Sequence, residues 1–453
     1  MRLAIALLLL SSSASAASRF ARFEKEADAF RRQLGIPGMS AVIIEKQKIV
    51  WMKGFGFADL ENKVPATPDT LYHVASLTKT FAAVLVLQLV EQGKLDLDEP
   101  VSRYSKEITD ERVKIRHIIS HTSEGTMPGD AYAYSGNRFD ALTALIEAKY
   151  GKPFRQVMIE TFLVPLKMTA SVPGHDVEND PALAPRYAKQ LERFAKPYVL
   201  YGAGEIVRDS YPPRDMNAAA GLLSTVRDLA KYDVAIDRHV LLKPETLARA
   251  WTPFLSNAGK PLPHGLGWFV QDHRGVKLVW HFGNWGHGFS ATYLKVPEKQ
   301  LTLILLANSE GLSNGFYNDG RIESNPIACA FLRTLVVHGE DACTAVAAEA
   351  VRTRLARLAA NARKAVTVDA KVLEDYVGSY ERTDITHTHV VTREGNHLFI
   401  DIGGRSEMFA ESDSQFFFKN RTYLARFIRD AAGKVITLEF EEDGQKVTAK
   451  RTR

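Results

Sequence analysis

Residues Phe81 to Val90 read FAAVLVLQLV, so a helix built from them is apolar on nearly every face. Such a helix is stable only where other elements cover it all round. The surrounding stretch, 74–92, has the length of a helix, lacks Gly and Pro, and meets a C-cap signal at Gly93. Its apolar run falls well short of the ~18 residues that cross a bilayer. The fold must therefore supply a core thick enough to enclose a whole helix. A chain of 453 residues, 45% of them hydrophobic, has the material for that.

The covering layers can be read on either side. Ser40–Ile44 and Lys48–Phe57 are β-rich runs around a short polar turn, which predicts a hairpin. Residues 112–250 are mostly helical in pattern, broken by loops that carry Pro and Gly. Strand signals return at Val276–Phe282, Ser290–Val296 and Leu301–Ala307. That order predicts an α+β domain over 17–344, with an antiparallel sheet from both chain ends and a helical insertion. An Ala/Arg-rich helical connector is expected over 345–370. From 371 to 453, short β-rich runs alternate with turn signals such as Glu394-Gly395-Asn396 and Ala432-Gly433, predicting a small all-β domain.

Arg2, the apolar run Leu3–Leu10 and Ala14-Ser15-Ala16 have the pattern of a secretory leader over 1–16. The expectation is an exported protein, periplasmic or secreted, with no membrane anchor. Lys plus Arg number 58 against 53 for Asp plus Glu, too small a surplus to suggest a nucleic-acid partner. Export permits a disulfide between the two cysteines, Cys329 and Cys343. The sequence leaves their pairing open, and their spacing matches no metal or redox pattern.

Ser76-Leu77-Thr78-Lys79 is the sharpest chemical feature. One helical turn separates Ser76 from Lys79, so both side chains can share a face. A serine hydroxyl needs a base to become a nucleophile, and a lysine kept neutral by burial can be that base. The apolar helix that follows supplies the burial. By itself the motif is weak, because a chain this long holds about one or two such matches by chance. An exposed helix start with a solvated lysine is the plain alternative. Tyr134-Ser135-Gly136-Asn137 supplies a loop tyrosine that can relay a proton, or that is merely half-buried. His281-Phe282-Gly283 ends a β-rich run, where Gly lets a substrate backbone approach closely and Asn284 offers the next N–H. A hairpin with a surface histidine would look the same.

These three pieces, in this order, resemble the serine β-lactamase and penicillin-recognising family, in its class C, DD-peptidase and esterase branch. Thr70 to Ser76, Ile118 to Ser123 and Ala219 to Thr225 are similar to further family stretches. The likeness covers roughly residues 24–340, and the tail from Leu373 resembles an appended lipocalin-like β domain. The resemblance implies that Ser76 is the acyl-accepting nucleophile and that Lys79 and Tyr134 share the proton transfers. It implies that His281 helps place substrate and tunes Tyr134, and that the Ser76 and Asn284 N–H groups form an oxyanion hole. It implies no metal and no organic cofactor. The expected partner is a small-molecule or peptide substrate, cell-wall peptides included.

Two departures from the family pattern bear on substrate. Gly136 stands where the family has an Asn that contacts the substrate amide, with Asn137 one residue late. Phe282 stands where the family often has a Thr or Ser that meets a carboxylate, and a phenyl ring cannot replace that hydrogen bond. Both favour an ester or a less charged amide over a β-lactam, although Arg138 or Asn284 could receive a carboxylate instead. The alternative of another class is a non-catalytic penicillin- or peptide-binding protein of the same fold, since fold does not fix function. Gly311-Leu312-Ser313-Asn314-Gly315 matches a nucleophile-elbow pattern without its strand-to-helix context. His117 with His121, and His387 with His389, are short histidine pairs for which structural roles are the expectation.

Overall fold

Seven antiparallel strands unite the two ends of the first part of the chain in this computed structural model. It describes residues 19–452 apart from 203, 212–214, 287, 314–319, 338–341, 385–386, 403–404, 422 and 443–444. The leader expected at 1–16 lies outside the described residues. The strands are β1 (Gly38–Glu45), β2 (Lys48–Asp59), β3 (Val64–Pro65), β4 (Phe269–His273), β5 (Val276–Trp285), β6 (Phe289–Val296) and β7 (Leu301–Ala307), in the order β3-β2-β1-β7-β6-β5-β4. The expected sheet from both chain ends is therefore present, with β1 and β7 joined from Met39 opposite Ala307 to Glu45 opposite Leu301. Two edge strands, β3 and β4, carried too short a pattern to be read.

β1 is buried along its length except at Glu45, as a strand covered on both faces must be. The helix Val226–Asp237 packs on β1 and β7. It is fixed there by a buried polar knot. Lys295 Nζ lies 2.9 Å from both Asp233 Oδ1 and Asp237 Oδ2, and the Tyr293 hydroxyl donates to Asp233 Oδ1 at 2.6 Å. Phe23, on the helix over 19–33, meets Trp51 and Phe331 edge to face at 5.6 and 6.0 Å.

The apolar helix runs from Thr78 to Glu91, and every residue from Thr78 to Leu87 is buried. Phe81 stacks on Tyr232 with ring centres 3.9 Å apart and meets Phe162 edge-on at 5.1 Å. Gly93 takes φ +66° just past the helix end, and its N–H donates to Val90 O. The expected start at 74 is corrected: Ala75–Leu77 form a separate 3-10 turn before the helix proper. The region 112–250 is helical at Ile115–Ile119, Gly136–Tyr150, Phe154–Met158, Ala184–Leu191, Val226–Asp237 and Pro244–Ala250, among other short turns. It also holds strands of two to four residues, too short to show a period of two. Leu222–Ser224 pairs with Tyr72–His73 and Val172–Pro173, and Tyr198–Tyr201 pairs with Glu205–Arg208.

Two compact units divide the chain: Met1–Ala195 with Arg214–Arg352, and Lys196–Pro213 with Thr353–Arg453. In the second, eight strands from Gly378–Arg382 to Gln445–Arg451 close into a barrel. Its interior is filled with side chains, among them Tyr376 stacked on Phe427 with ring centres 4.1 Å apart. The hairpin of the same unit is tied to residues next to the barrel strands, Asn420 Nδ2 donating to Asp209 Oδ1 at 3.0 Å and Arg421 to Ser210 Oγ at 2.7 Å. In the first unit Cys329 and Cys343 form a disulfide with Cα atoms 5.9 Å apart, which settles the pairing that the sequence left open.

Candidate active site

Ser76 sits in the 3-10 turn Ala75–Leu77, half-buried among buried neighbours. The turn's first hydrogen bond runs from Leu77 N–H to Val74 O at 3.1 Å. The Ser76 N–H precedes that bond, so it has no acceptor within the turn. Lys79, one turn on and 1% exposed, donates from Nζ to Ser76 Oγ at 3.0 Å and to Ala219 O at 2.8 Å. Burial pushes the Lys79 ammonium down to about 7, opposed by the charge of Asp140. A lysine in that state supplies a neutral amine against the serine hydroxyl near neutral pH.

Lys79 Nζ is 5.4 Å from the ring centre of Tyr134 and 5.5 Å from that of Phe139. The Tyr134 hydroxyl is buried and makes no well-formed hydrogen bond, but Ser76 is the hydroxyl that acts on it. Burial makes it harder to ionise, pushing it above the ordinary phenol range, and the Ser76 hydroxyl opposes that rise. Tyr134 is thus a protonated donor at neutral pH, not a resident base. His121 holds this loop. Its ring stacks on Tyr134 at 4.3 Å, and its Nδ1 accepts the Ser135 N–H at 3.2 Å.

Gly283 of β5 faces the nucleophile turn. A Cβ there would stand 2.1 Å from Val74 O, so only glycine permits the strand to press so closely. Its neighbour Asn284 pairs with Ser290 and is half-buried. His281 lies on the same strand, next to Phe282. It is fully buried, its Nδ1 lies 2.7 Å from Phe282 O, and burial with His264 and Lys79 holds it well below the usual imidazole range. Its Nε2 is buried without a hydrogen-bond partner among the described residues, and its ring centre lies 6.3 Å from that of Tyr134.

Phe282 is half-exposed and packs 5.1 Å from Tyr134 and 5.8 Å from Phe269. It offers carbon where a hydroxyl was the family expectation. Asn137 is exposed on the first turn of the helix Gly136–Tyr150. A Cβ on Gly136, in contrast, would lie 3.9 Å from Lys79 Nζ. So the position that borders the lysine carries no side chain, and the asparagine points elsewhere. Arg138 is occupied: it donates to Ser123 Oγ and Ser123 O at 3.0 and 3.1 Å, and Glu124 lies 3.7 Å away.

Several residues of the site escaped the sequence reading. His121 falls in the family-like stretch Ile118–Ser123 and in the His117 pair, but neither gives it a role, and its placement against Tyr134 depends on a tertiary turn. His264, whose ring centre lies 4.9 Å from that of His121, and Asp140 gave no local signal. Ser313 caps a short 3-10 turn over Glu310–Leu312, which is not the strand-to-helix turn that an elbow needs. Asn314 and Gly315 lie outside the described residues. Among the described residues no three His, Cys, Asp or Glu side chains converge as a metal site.

A family model described as Beta-lactamase matches residues 20–324, and one described as a Domain of unknown function (DUF3471) matches 362–451. The chain is 24% identical over 448 residues to Penicillin-binding protein 4* of Bacillus subtilis (strain 168), covering 89% of this chain and 93% of that protein. Protein flp of Staphylococcus aureus (strain MW2) is 25% identical over 317 residues, 60% of each. Among solved structures, an octameric penicillin-binding protein homologue from Pyrococcus abyssi superposes with a TM-score of 0.61 at 21% identity, over 94% of this chain and 99% of that one. A D-amino acid amidase from Ochrobactrum anthropi SV3, complexed with L-phenylalanine, gives 0.54 at 21% identity, over 69% and 98%. The two structures share the fold.

Proposed function

The chain belongs to the serine β-lactamase and penicillin-binding-protein family, and on that premise we propose that it is a serine hydrolase that forms an acyl-enzyme on Ser76 with esters or uncharged amides. The observation that carries the chemistry is Lys79 Nζ, 3.0 Å from Ser76 Oγ and buried enough to be half neutral at about pH 7. The amine takes the hydroxyl proton as Oγ attacks the carbonyl carbon. The Ser76 and Asn284 N–H groups receive the oxygen on which charge develops. Tyr134 gives its proton to the leaving group and regains one from the Lys79 ammonium, so the proton of Ser76 ends on the departing atom. Water then enters by the reverse path and releases the acid.

The substrate class follows from what the site presents. Phe282, packed over the buried Phe269, presents carbon to it, Gly136 offers no amide, and Arg138 is held by Ser123 and Glu124. Among these described residues a substrate carboxylate would find no free charged partner besides Lys79, which is engaged with Ser76 and Ala219, and an unpaired buried charge is strongly disfavoured. The leader pattern and the Cys329–Cys343 disulfide support export to an oxidising compartment. The test is to compare kcat/KM for p-nitrophenyl butyrate, nitrocefin and a D-Ala-D-Ala peptide. The ester is expected to be turned over best. A clear preference for nitrocefin or the peptide removes the reading of Phe282 and Gly136, and no turnover or labelling at all favours the binding-protein alternative.

A further inference from the structure

Ala75, the residue before the proposed nucleophile, has φ +49° and no exposed surface. A β-carbon in the left-handed region is disfavoured, and it persists only where the surroundings hold it. Two side chains do so. On the carbonyl side, Thr78 Oγ1 donates to Ala75 O at 2.8 Å. On the amide side, the Ala75 N–H donates to His73 Nδ1 at 3.1 Å. This bond from residue i to the N–H of i+2 is the geometry that Asn and Asp use in an Asx-turn. We propose that His73 is a positioning residue for Ser76, its Nδ1 holding Ala75 left-handed so that Ser76 Oγ meets Lys79 and the Ser76 N–H faces the substrate oxygen.

The inference rests on Ser76 being the nucleophile. The peptide between Ala75 and Ser76 carries the Ser76 N–H. Rotating Ala75 back to the right-handed region would redirect that donor and the serine side chain together. The turn has little freedom to compensate, because Val74 O is engaged by Leu77 N–H and pressed by Gly283. His73 itself is 2% exposed, edge-on to Trp285 at 5.5 Å and near Phe289 at 6.2 Å. Burial, with His175 adding to it, pushes His73 down to about 3. The ring therefore stays neutral, with its proton on Nε2 and a lone pair on Nδ1 for Ala75.

The test uses the full chain, a fluorophosphonate probe for the rate at which Ser76 Oγ displaces fluoride from phosphorus, and p-nitrophenyl butyrate for kcat and KM. His73→Leu keeps bulk but removes the acceptor. It is expected to lower kcat and labelling at least about tenfold with KM changed by less than about twofold. His73→Asn, which restores an acceptor in Asx-turn geometry, is expected to stay within about threefold of the native rate. Ala75→Gly added to His73→Leu removes the left-handed penalty and should recover part of the loss. A folded His73→Leu that labels at the native rate overturns the proposal, as does a folded His73→Asn that is as slow as His73→Leu. If His73→Leu does not fold, His73→Asn decides by itself: a loss of about tenfold or more in the folded variant refutes the role. A native protein that takes no label instead overturns the Ser76 reading on which this one stands.

Discussion

The pH dependence of acylation follows from where Lys79 is held. Its ordinary value of 10.5 falls to about 7 because the side chain is enclosed, with Asp140 opposing the fall. At pH 7 that raises the neutral fraction from about one in three thousand to about one half. The same fall corresponds to about 5 kcal/mol withheld from the protonated native state, at about 1.4 kcal/mol per tenfold. Only neutral Lys79 can accept the Ser76 proton, so acylation should rise about tenfold per pH unit up to pH 7 and flatten above it. The histidines and the tyrosine of the site do not add a limb in this window. Burial keeps His121, His264 and His281 neutral and raises Tyr134. Replacing Asp140 by Asn removes the charge that raises Lys79, so the limb should move to lower pH. The linkage has the corresponding sign: between pH 7 and 10.5 the unfolded chain binds the proton that the native state lacks, so stability rises with pH there. Lys79→Met relieves that penalty and forfeits two hydrogen bonds worth about 1–3 kcal/mol together. It should melt higher than the native protein at pH 7 while losing acylation. Stopped-flow labelling from pH 5 to 9 is the assay. A flat profile, or an Asp140→Asn limb that moves upward, refutes the reasoning, and so does Lys79→Arg acylating near the native rate.

Phe282→Thr returns a hydroxyl beside Tyr134. It should improve nitrocefin or peptide turnover relative to the ester by about 10- to 100-fold, the equivalent of a regained hydrogen bond of about 1–3 kcal/mol. Unchanged ranking by kcat/KM contradicts that. Tyr134→Phe deletes only the hydroxyl and should lower acylation by about 100-fold or more while the thermal midpoint holds. Changing both Cys329 and Cys343 to Ser opens a disulfide with a sequence separation of 14 and should lower unfolding free energy by about 3 kcal/mol in denaturant titrations, with native kcat.

What the sequence made legible were features that repeat or that carry their own chemistry. The strands β1, β6 and β7 stood out because burial on both faces demands continuous apolar runs, and β2 and β5 because their Val, Ile, Trp and Phe content is β-rich even where they are partly exposed. The helix Thr78–Glu91 stood out because nothing but enclosure explains its composition. Ser76 and Lys79 were legible because one helical turn brings them together without help from the rest of the chain. The elements that were missed depend on contacts far apart in sequence. Leu222–Ser224 is a strand only because Tyr72–His73 lies beside it, and the hairpin Tyr198–Arg208 was hidden in a helical stretch by its brevity. Ala75's left-handed backbone has no signal in its residue type, since glycine would be the ordinary choice. The neutrality of His281 likewise could not be read, because it comes first from complete burial in the fold and then from His264 and Lys79 nearby.

The central claim is that Ser76 carries the acyl group. The direct measurement is mass spectrometry of the protein quenched during turnover of p-nitrophenyl butyrate, followed by peptide mapping. The expected result is a butyryl mass increment confined to the peptide that contains Ser76, absent from Ser76→Ala, with a burst of nitrophenolate of about one equivalent. An adduct on Ser313, or undiminished hydrolysis by Ser76→Ala, would contradict it.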